Sequence, residues 1–193
     1  MPRPKSFDEG VVLQKAVELF WKQGYNTTSM QNLVDHLGIN RASIYDTYGG
    51  KEELFHKAFE HYRQENQQKL RAFLDSQSSV RKGLEKLFMM SINTCVADKD
   101  RKGCFVVNCA TESLPNNAKM VKILSSNQES MEQFFMDYVN RGKKQGEITE
   151  NKDAKAIAAF LFTLYSGLNV IAKVNPTTEH LQQVVQTGLA VLD

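Results

Sequence analysis

Hydrogen-bond donors are concentrated between residues 41 and 51 of this 193-residue chain. Arg41 can form two hydrogen bonds to a guanine edge, Ser43 can donate or accept one, and the methyl group of Ala42 can contact thymine. Three further donors suit phosphate oxygens instead. They are Tyr45, Thr47 and Lys51. These residue types predict that the first three side chains contact bases in a duplex and that the other three contact its backbone.

Two short helices are needed to position these donors, and the apolar spacing predicts both. Apolar residues recur at helical spacing before Gly38, whose missing side chain permits a left-handed turn. They are Met30, Leu33, Val34 and Leu37. Asn40 is a good cap for a second helix over residues 41–48. The pair predicts a helix-turn-helix whose second helix enters the major groove by its N-terminal end. The alternative is an ordinary helical hairpin with solvated polar residues.

The start of the first of these helices is also a candidate phosphate site. Thr28 and Gln31 have the spacing of a capping box, with Thr28 as the hydroxyl cap. Backbone N–H groups and the helix dipole favour an anion there, so Thr28 and Ser29 are predicted to contact phosphate. The Arg3-Pro4-Lys5 arm could lie in the adjacent minor groove or form a disordered tail.

The remainder of the chain is predicted to be helical, which gives an all-α fold. The further helices are expected at 7–24, 51–74, 80–97, 104–113, 117–144, 153–173 and 178–192. With 41% hydrophobic and 24% charged residues, the chain can bury a sizeable core. The net charge of +2 does not by itself indicate nucleic acid.

The expected location is the cytoplasm, with no membrane partner. The start of the chain has no secretory signal, and the apolar stretches near Phe105 and Leu161 look too short for a membrane span. Three cysteines are too few, and odd in number, for a disulfide framework.

Residues 7–55 resemble the DNA-binding domain of the TetR/AcrR family of bacterial transcriptional regulators. The matching segments are Ala16-Val17-Glu18-Leu19-Phe20, Gly24-Tyr25, Thr28-Ser29-Met30, Leu37-Gly38-Ile39, Ile44-Tyr45-Asp46-Thr47-Tyr48 and Lys51-Glu52-Glu53-Leu54-Phe55. Asp46 departs from the family pattern, where this position is often aromatic. Its carboxylate would repel phosphate or accept a hydrogen bond from a cytosine amine, and the sequence leaves both open.

The resemblance implies a division of the chain and a function. Residues 1–50 would form a three-helix DNA-binding domain, and residues 51–193 a helical bundle for effector binding and dimerisation. The expected protein is a repressor that binds a palindromic operator in double-stranded DNA as a dimer. A small effector would release it by shifting the helix that begins at Lys51.

The last two helices are the expected dimer interface. The helix at 153–173 is apolar almost all round, which predicts burial on both flanks. The small residues Ala156, Ala159, Ser166 and Gly167 would let helices approach closely. The final helix adds a further apolar face. A single-chain core without a partner is the alternative.

The large apolar side chains in the middle of the chain could line an adaptable effector pocket or form plain core. The resemblance favours a pocket for a small apolar or amphipathic effector, without a cofactor. The candidate lining residues are Met89, Asn93, Phe105, Asn108, Met131, Phe135, Tyr165 and Asn169.

Residues 102–112 resemble a segment of a TetR subgroup in which some members sense electrophiles or oxidants through a cysteine. Cys104 would be that cysteine. Arg101, Lys102 and a helix start at Cys104 would all favour its thiolate. The alternative is that Cys104 is a small core residue, as free cysteines usually are.

Catalytic and metal-binding patterns are missing from the sequence. The four histidines form no zinc motif, and neither a phosphate-binding glycine loop nor a Gly-x-Ser-x-Gly elbow is present. An enzyme is therefore not expected. A helical module that binds protein rather than DNA remains a rival, although it would not need cations at Arg41 and Lys51.

Overall fold

The computed structural model describes residues 7–113, 117–174 and 177–193. Within these ranges it contains nine α-helices and no strand, which confirms the all-α prediction. The helices are α1 (Glu9–Gln23), α2 (Met30–Leu37), α3 (Arg41–Tyr48), α4 (Lys51–Asp75), α5 (Val80–Ala97), α6 (Phe105–Ser113), α7 (Ala118–Lys144), α8 (Ala154–Val174) and α9 (Thr178–Leu189), followed by a 3₁₀ turn at Ala190–Leu192. The arm at Arg3-Pro4-Lys5 and the predicted breaks at 114–116 and 175–176 lie outside the described residues.

Local capping sets the ends of the short helices. Gly38 adopts a left-handed conformation, with φ of 71°, and ends α2. The Asn40 side chain accepts a hydrogen bond from the Ser43 backbone N–H at 2.8 Å and starts α3. The capping box of α2 was predicted one residue too early, because Ser29 and Asn32 form it rather than Thr28 and Gln31.

The N-terminal hydrophobic cluster joins α1, α2 and α3 to the first part of α4. Phe105 from α6 is also part of this cluster and is almost completely buried in it. Its ring lies 5.4 Å from that of Tyr62 and 5.7 Å from that of Phe59. The core beneath the short N-terminal helices is therefore completed by a residue from far along the chain.

The C-terminal hydrophobic cluster joins the end of α4 to α5, α7, α8 and α9. Glu147, after α7, caps α5 by accepting hydrogen bonds from the Ser79 hydroxyl and the Val80 backbone N–H. Because α4 contributes to both clusters, it connects the short N-terminal helices to the larger bundle.

Candidate nucleic-acid interface

The α3 helix presents one buried side and one exposed side. Ile44 and Tyr48 are buried in the N-terminal cluster. Arg41, Ala42 and Tyr45 are exposed. Arg41 precedes Ile44 by three residues and so lies on the same side of the helix, in its exposed first turn. The other two predicted donors on α3, Ser43 and Thr47, are half-buried. Asp46 is exposed on the same short helix, so its carboxylate is accessible to any molecule that meets this face.

Lys51, the last of the predicted donors, is held close to an aromatic ring at the start of α4. Its Nζ atom lies 4.3 Å from the centre of the Tyr25 ring, within the range of a cation–π interaction. Partial burial lowers the pKa of the Lys51 ammonium below its usual value. The start of α4 has no side-chain cap, which leaves its first backbone N–H groups available to an anion.

Gly50 brings the end of α3 and the start of α4 together. It has a φ of 128°, and a Cβ atom at this position would lie 3.2 Å from the Tyr45 ring. A larger residue would therefore displace the Tyr45 side chain, which is one of the predicted phosphate contacts.

The structure corrects the role predicted for Thr28. Its side chain is buried, and its hydroxyl donates to the Gly24 carbonyl at 2.6 Å. A phosphate in solution therefore cannot reach it. Ser29 is exposed, but its hydroxyl donates to Asn32 Oδ1 at 2.7 Å and accepts from the Asn32 backbone N–H. Of the two, Ser29 is the residue placed where a phosphate could approach.

A cavity of about 340 Å³ lies between the N-terminal region and the bundle. Two of the predicted pocket residues, Tyr165 and Asn169, line it. A second cavity of about 30 Å³ includes Met131 and shares Asn66, Cys104 and Tyr165 with the first. The two cavities are therefore neighbours, because Asn66, Cys104 and Tyr165 line both of them.

Five of the predicted pocket residues do not line either cavity. Phe105 and Phe135 are buried in the N-terminal and C-terminal clusters, respectively. Asn93 is exposed, and Met89 packs against the C-terminal cluster. Asn108 instead donates to the Lys102 carbonyl at 2.7 Å and accepts from Lys173 at 3.0 Å. Three of the eight predicted residues therefore line a cavity, and the sequence did not reveal which helix faces enclose space.

Several residues of the larger cavity are not among those predicted from the sequence. These residues come from α1, α4, α5 and the loop before α6. They include Trp21, Tyr62, Asn66, Leu70, Phe73, Ser91, Cys95 and Gly103. No motif marks them, because their positions are set by how the helices pack. Only the aromatic character of Trp21, Tyr62 and Phe73 could have indicated a pocket.

Cys104 lies next to the cavities, but its environment differs from the prediction. Burial raises the pKa of its thiol, and hydrogen bonds from the Val107 and Val106 backbone only partly oppose that effect. The nearby Arg101 and Lys102 therefore do not produce the expected thiolate. Helix α6 begins at Phe105, and the Cys104 carbonyl accepts a hydrogen bond from the Asn108 N–H.

Helix α8 leaves part of its apolar surface uncovered. Phe160, Val170, Ile171 and Val174 are exposed, and Val174 is 74% exposed. A Cβ atom added at Gly167 would meet nothing within 4 Å. The predicted burial on both flanks is therefore not satisfied by this chain alone.

The expectation about membrane-spanning length was wrong for α8. An 18-residue window in it has a mean hydropathy of 1.6, so its length and composition alone would allow a span. This is weak evidence for a membrane, because core helices of soluble proteins have the same properties. Leu161 and Leu168, for example, pack in the C-terminal cluster.

The chain matches two family models. Residues 12–58 match the model described as "Bacterial regulatory proteins, tetR family". Residues 81–187 match "Tetracyclin repressor-like, C-terminal domain". Together the matches contain both the short N-terminal helices and most of the bundle.

Relatives match over nearly the whole chain. HTH-type transcriptional regulator YezE of Bacillus subtilis is 34% identical, with 100% of both chains covered. HTH-type transcriptional repressor ComR of Escherichia coli is 31% identical, covering 97% of this chain and 90% of ComR. The solved structure of the TetR family regulator CifR, a cysteine mutant bound to a 26-base-pair operator duplex, is 30% identical with a TM-score of 0.87. That match covers 99% of this chain and 100% of CifR. The chain belongs to the TetR family and is a DNA-binding transcriptional regulator, and this family consists of regulators rather than enzymes.

Proposed function

We propose that the protein is a cytoplasmic, homodimeric repressor that binds a palindromic operator and is released by a small effector. The exposed residues of α3 carry this proposal, because Arg41 and Tyr45 are accessible donors while Ile44 and Tyr48 anchor the helix. ComR is named a repressor, and the CifR structures contain double-stranded operator DNA.

The proposed division of contacts follows from the positions of the donors. Arg41, Ala42 and Ser43, at the N-terminal end of α3, would meet base edges in the major groove. The phosphates of the DNA backbone would be contacted by Tyr45, Thr47, Lys51 and Ser29.

The test is a titration of the protein with a duplex taken from upstream of its own operon. We expect binding whose affinity falls as the salt concentration rises. Equal binding to any duplex, with no preference for that fragment, would contradict the proposal.

A second copy of the chain is the proposed partner of α8 and α9. One α3 helix can contact only a few base pairs, so a palindrome requires two recognition helices about 34 Å apart. The exposed residues on α8 recur at helical spacing, and the open space at Gly167 would let another helix approach closely. A four-helix interface would cover this surface.

The dimer can be tested by placing a charge on the exposed surface of α8. Ile171→Glu should give a monomer in light scattering and weaken operator binding, because the charge would be buried at the interface. Val121→Glu on α7 is the matched control, since Val121 is exposed to a similar degree but lies outside the last two helices. A monomeric wild-type protein, or the same outcome for both variants, would contradict the interface.

Effector release would act through α4. The first part of this helix packs in the N-terminal cluster, whereas Asn66, Leu70 and Phe73 in its second half line the larger cavity. An effector that binds one arrangement of α4 more tightly would change the separation of the two α3 helices. Operator binding would weaken by at most the ratio of the effector's affinities for the two arrangements.

A redox-sensing regulator is the second candidate function, because the Cys104 thiol borders both cavities. A reactive molecule that enters either cavity would meet it there. The test is mass spectrometry after mild peroxide or quinone treatment, with operator affinity measured in parallel. Cys104→Ser should abolish any response, whereas Cys109→Ser, in the N-terminal cluster, should retain it. Unchanged DNA binding by oxidised protein would reject this candidate.

A further inference from the structure

The larger cavity extends to the DNA-binding region itself. Trp21, the single tryptophan of the chain, lies on α1, packs against the N-terminal cluster and also lines the cavity. Its indole N–H donates to the Gly103 carbonyl at 3.0 Å, and its ring lies edge-on to Tyr62 at 5.3 Å. A molecule in this cavity would therefore touch α1 without an intervening element.

The charged side chains that line the cavity offer no buried partner to an ionic ligand. Lys102, whose Nζ atom lies 5.4 Å from the centre of the Trp21 ring, is not among the lining residues. Among the described residues that line it, none is an aspartate or glutamate, so a buried cation would lack a counter-ion. Lys69 is the one cation in the lining. Its side chain is 75% exposed and its Nζ atom already pairs with Glu65 at 3.1 Å. An anionic ligand would have to lose its hydration without gaining a buried partner, which is unfavourable.

The polar groups in the cavity are already partly hydrogen-bonded to one another. The buried Asn169 amide donates to the Tyr165 carbonyl at 2.8 Å and to the Ser91 hydroxyl at 3.4 Å. The Cys95 thiol donates to the Asn169 side-chain oxygen at 3.4 Å. This pairing engages Asn169, Ser91 and Cys95 with one another, so a ligand gains little by adding polar groups that face them.

The remaining walls are aromatic and aliphatic. They include Trp21, Tyr62, Leu70, Phe73, Leu87 and Met90. Flat apolar surfaces of this kind pack well against aromatic rings. At about 340 Å³, the cavity is near the lower end of the size range of ligand pockets, which restricts it to small molecules.

We infer that the cavity binds a small, uncharged, largely apolar aromatic molecule, and that Trp21 of the DNA-binding region contacts this ligand directly. This inference rests on the proposed effector-responsive function and adds to it the chemical class of the effector and a contact residue. Because Trp21 belongs both to the cavity and to the N-terminal cluster, ligand binding would be transmitted to α1 as well as through α4.

The ligand class can be tested with three probes of similar shape and different charge. Benzyl alcohol is neutral, whereas benzylamine is a cation and benzoate an anion at neutral pH. Each is titrated into the full-length protein while the fluorescence of its single tryptophan is recorded. Benzyl alcohol should change the emission with an affinity about tenfold or more tighter than either charged probe, because only the charged probes must bury an uncompensated charge. Equal affinity for a charged probe, or no change with any probe, would overturn the inference.

Two matched substitutions on α5 locate the binding site. Ser91→Phe should fill the cavity and abolish the response to benzyl alcohol, since Ser91 lines it. Asn93→Phe introduces the same side chain on the same helix at an exposed position outside the cavity, and should retain the response. The same result for both variants would overturn the assignment of the cavity.

Operator binding without probe, measured on the same samples, separates this inference from the proposed function. Intact operator binding with no cavity response rejects the ligand inference alone. A cavity response in a protein that binds no duplex supports the ligand site and rejects the repressor function.

Discussion

The two hydrophobic clusters differ in composition and in how they are assembled. The N-terminal cluster is rich in aromatic rings, which include Phe20, Phe55, Phe59 and Phe105, with Trp21, Tyr25 and Tyr62 at its edge. The C-terminal cluster is largely aliphatic and comes from α4, α5, α7, α8 and α9. The region that presents α3 is thus not an independent unit, because Phe105 from α6 helps to form its core. A change in the position of α6 would therefore reach the DNA-binding face by direct packing.

The largest expected effect comes from removing one ring from either cluster. Phe105→Ala and Phe135→Ala each remove a fully buried phenyl ring, and each should reduce the free energy of unfolding by about 3–5 kcal/mol. Because Phe105 packs in the same cluster as α3 and Phe135 does not, we expect only Phe105→Ala to weaken operator binding by the folded protein as well. Urea unfolding and operator titration at low temperature measure the two quantities. Equal operator affinity in the two variants would mean that α6 does not support the DNA-binding region.

The next effect separates the two kinds of donor on the DNA-binding face. Arg41→Ala should cost about 1–3 kcal/mol of operator binding and relax the choice of base, because Arg41 would read a base edge. Lys51→Ala should weaken binding to all duplexes alike. It should also reduce the slope of log affinity against log salt by about 1, because one phosphate contact is lost. Titration against the operator and a scrambled duplex over a range of salt concentrations measures both. A similar loss of discrimination in both variants would contradict the assigned roles.

His56 provides a smaller test, at the boundary between the N-terminal cluster and α7. It is buried, and neither ring nitrogen has a hydrogen-bond partner among the described residues. Burial, followed by the charge of Lys119, lowers its pKa below 6.5, although Glu53 and Glu52 oppose this. The unfolded chain therefore takes up the proton first as the pH falls through about 6.5, and the folded state loses stability below that pH.

Replacing His56 should remove this pH dependence. His56→Leu is expected to raise the free energy of unfolding at about pH 5.5 and to flatten its decline below about pH 6.5. His61→Leu is the control, because His61 lies on the same helix, is only partly buried and lies 3.4 Å from Glu65. An unchanged pH profile in His56→Leu would show that His56 is protonated equally in the folded and unfolded states.

The smallest expected effect concerns the ring that holds Lys51. Tyr25→Leu should weaken operator binding by about 0.5–1 kcal/mol, because it removes the cation–π contact at 4.3 Å. Tyr25→Phe keeps the ring and should bind the operator as the wild type does. In a Lys51→Ala background, Tyr25→Leu should have no further effect on binding. If Tyr25→Leu weakens operator binding by the same amount in the Lys51→Ala background, Tyr25 acts through its packing on Phe55 instead.

Local signals in the sequence explain why the helices could be predicted closely. Gly38, Asn40 and Gly49 act within one turn of the helices they delimit. The observed bounds of α3 match the predicted ones, and α2 ends at Leu37 as predicted. The capping box was misplaced because Thr28 and Ser29 are adjacent hydroxyl residues. Only the folded chain shows that the Thr28 hydroxyl turns back to the Gly24 carbonyl.

The DNA-binding face and the cavity differ in how far the sequence could describe them. The predicted face lies within one short segment and depends on a single helical periodicity. The cavity combines residues from distant helices, so Trp21 could not be assigned to it from its position in α1. Likewise, the basic neighbours of Cys104 suggested a low thiol pKa, whereas burial, which depends on tertiary packing, raises that pKa.

Selection of binding sites from a random duplex library tests whether two copies of α3 read one operator. We expect the wild-type protein to enrich inverted repeats whose half-sites are about one helical turn, or a multiple of it, apart, and Arg41→Ala to lose this enrichment. Recovery of single, asymmetric sites, or of no preferred sequence at low salt, would contradict this expectation.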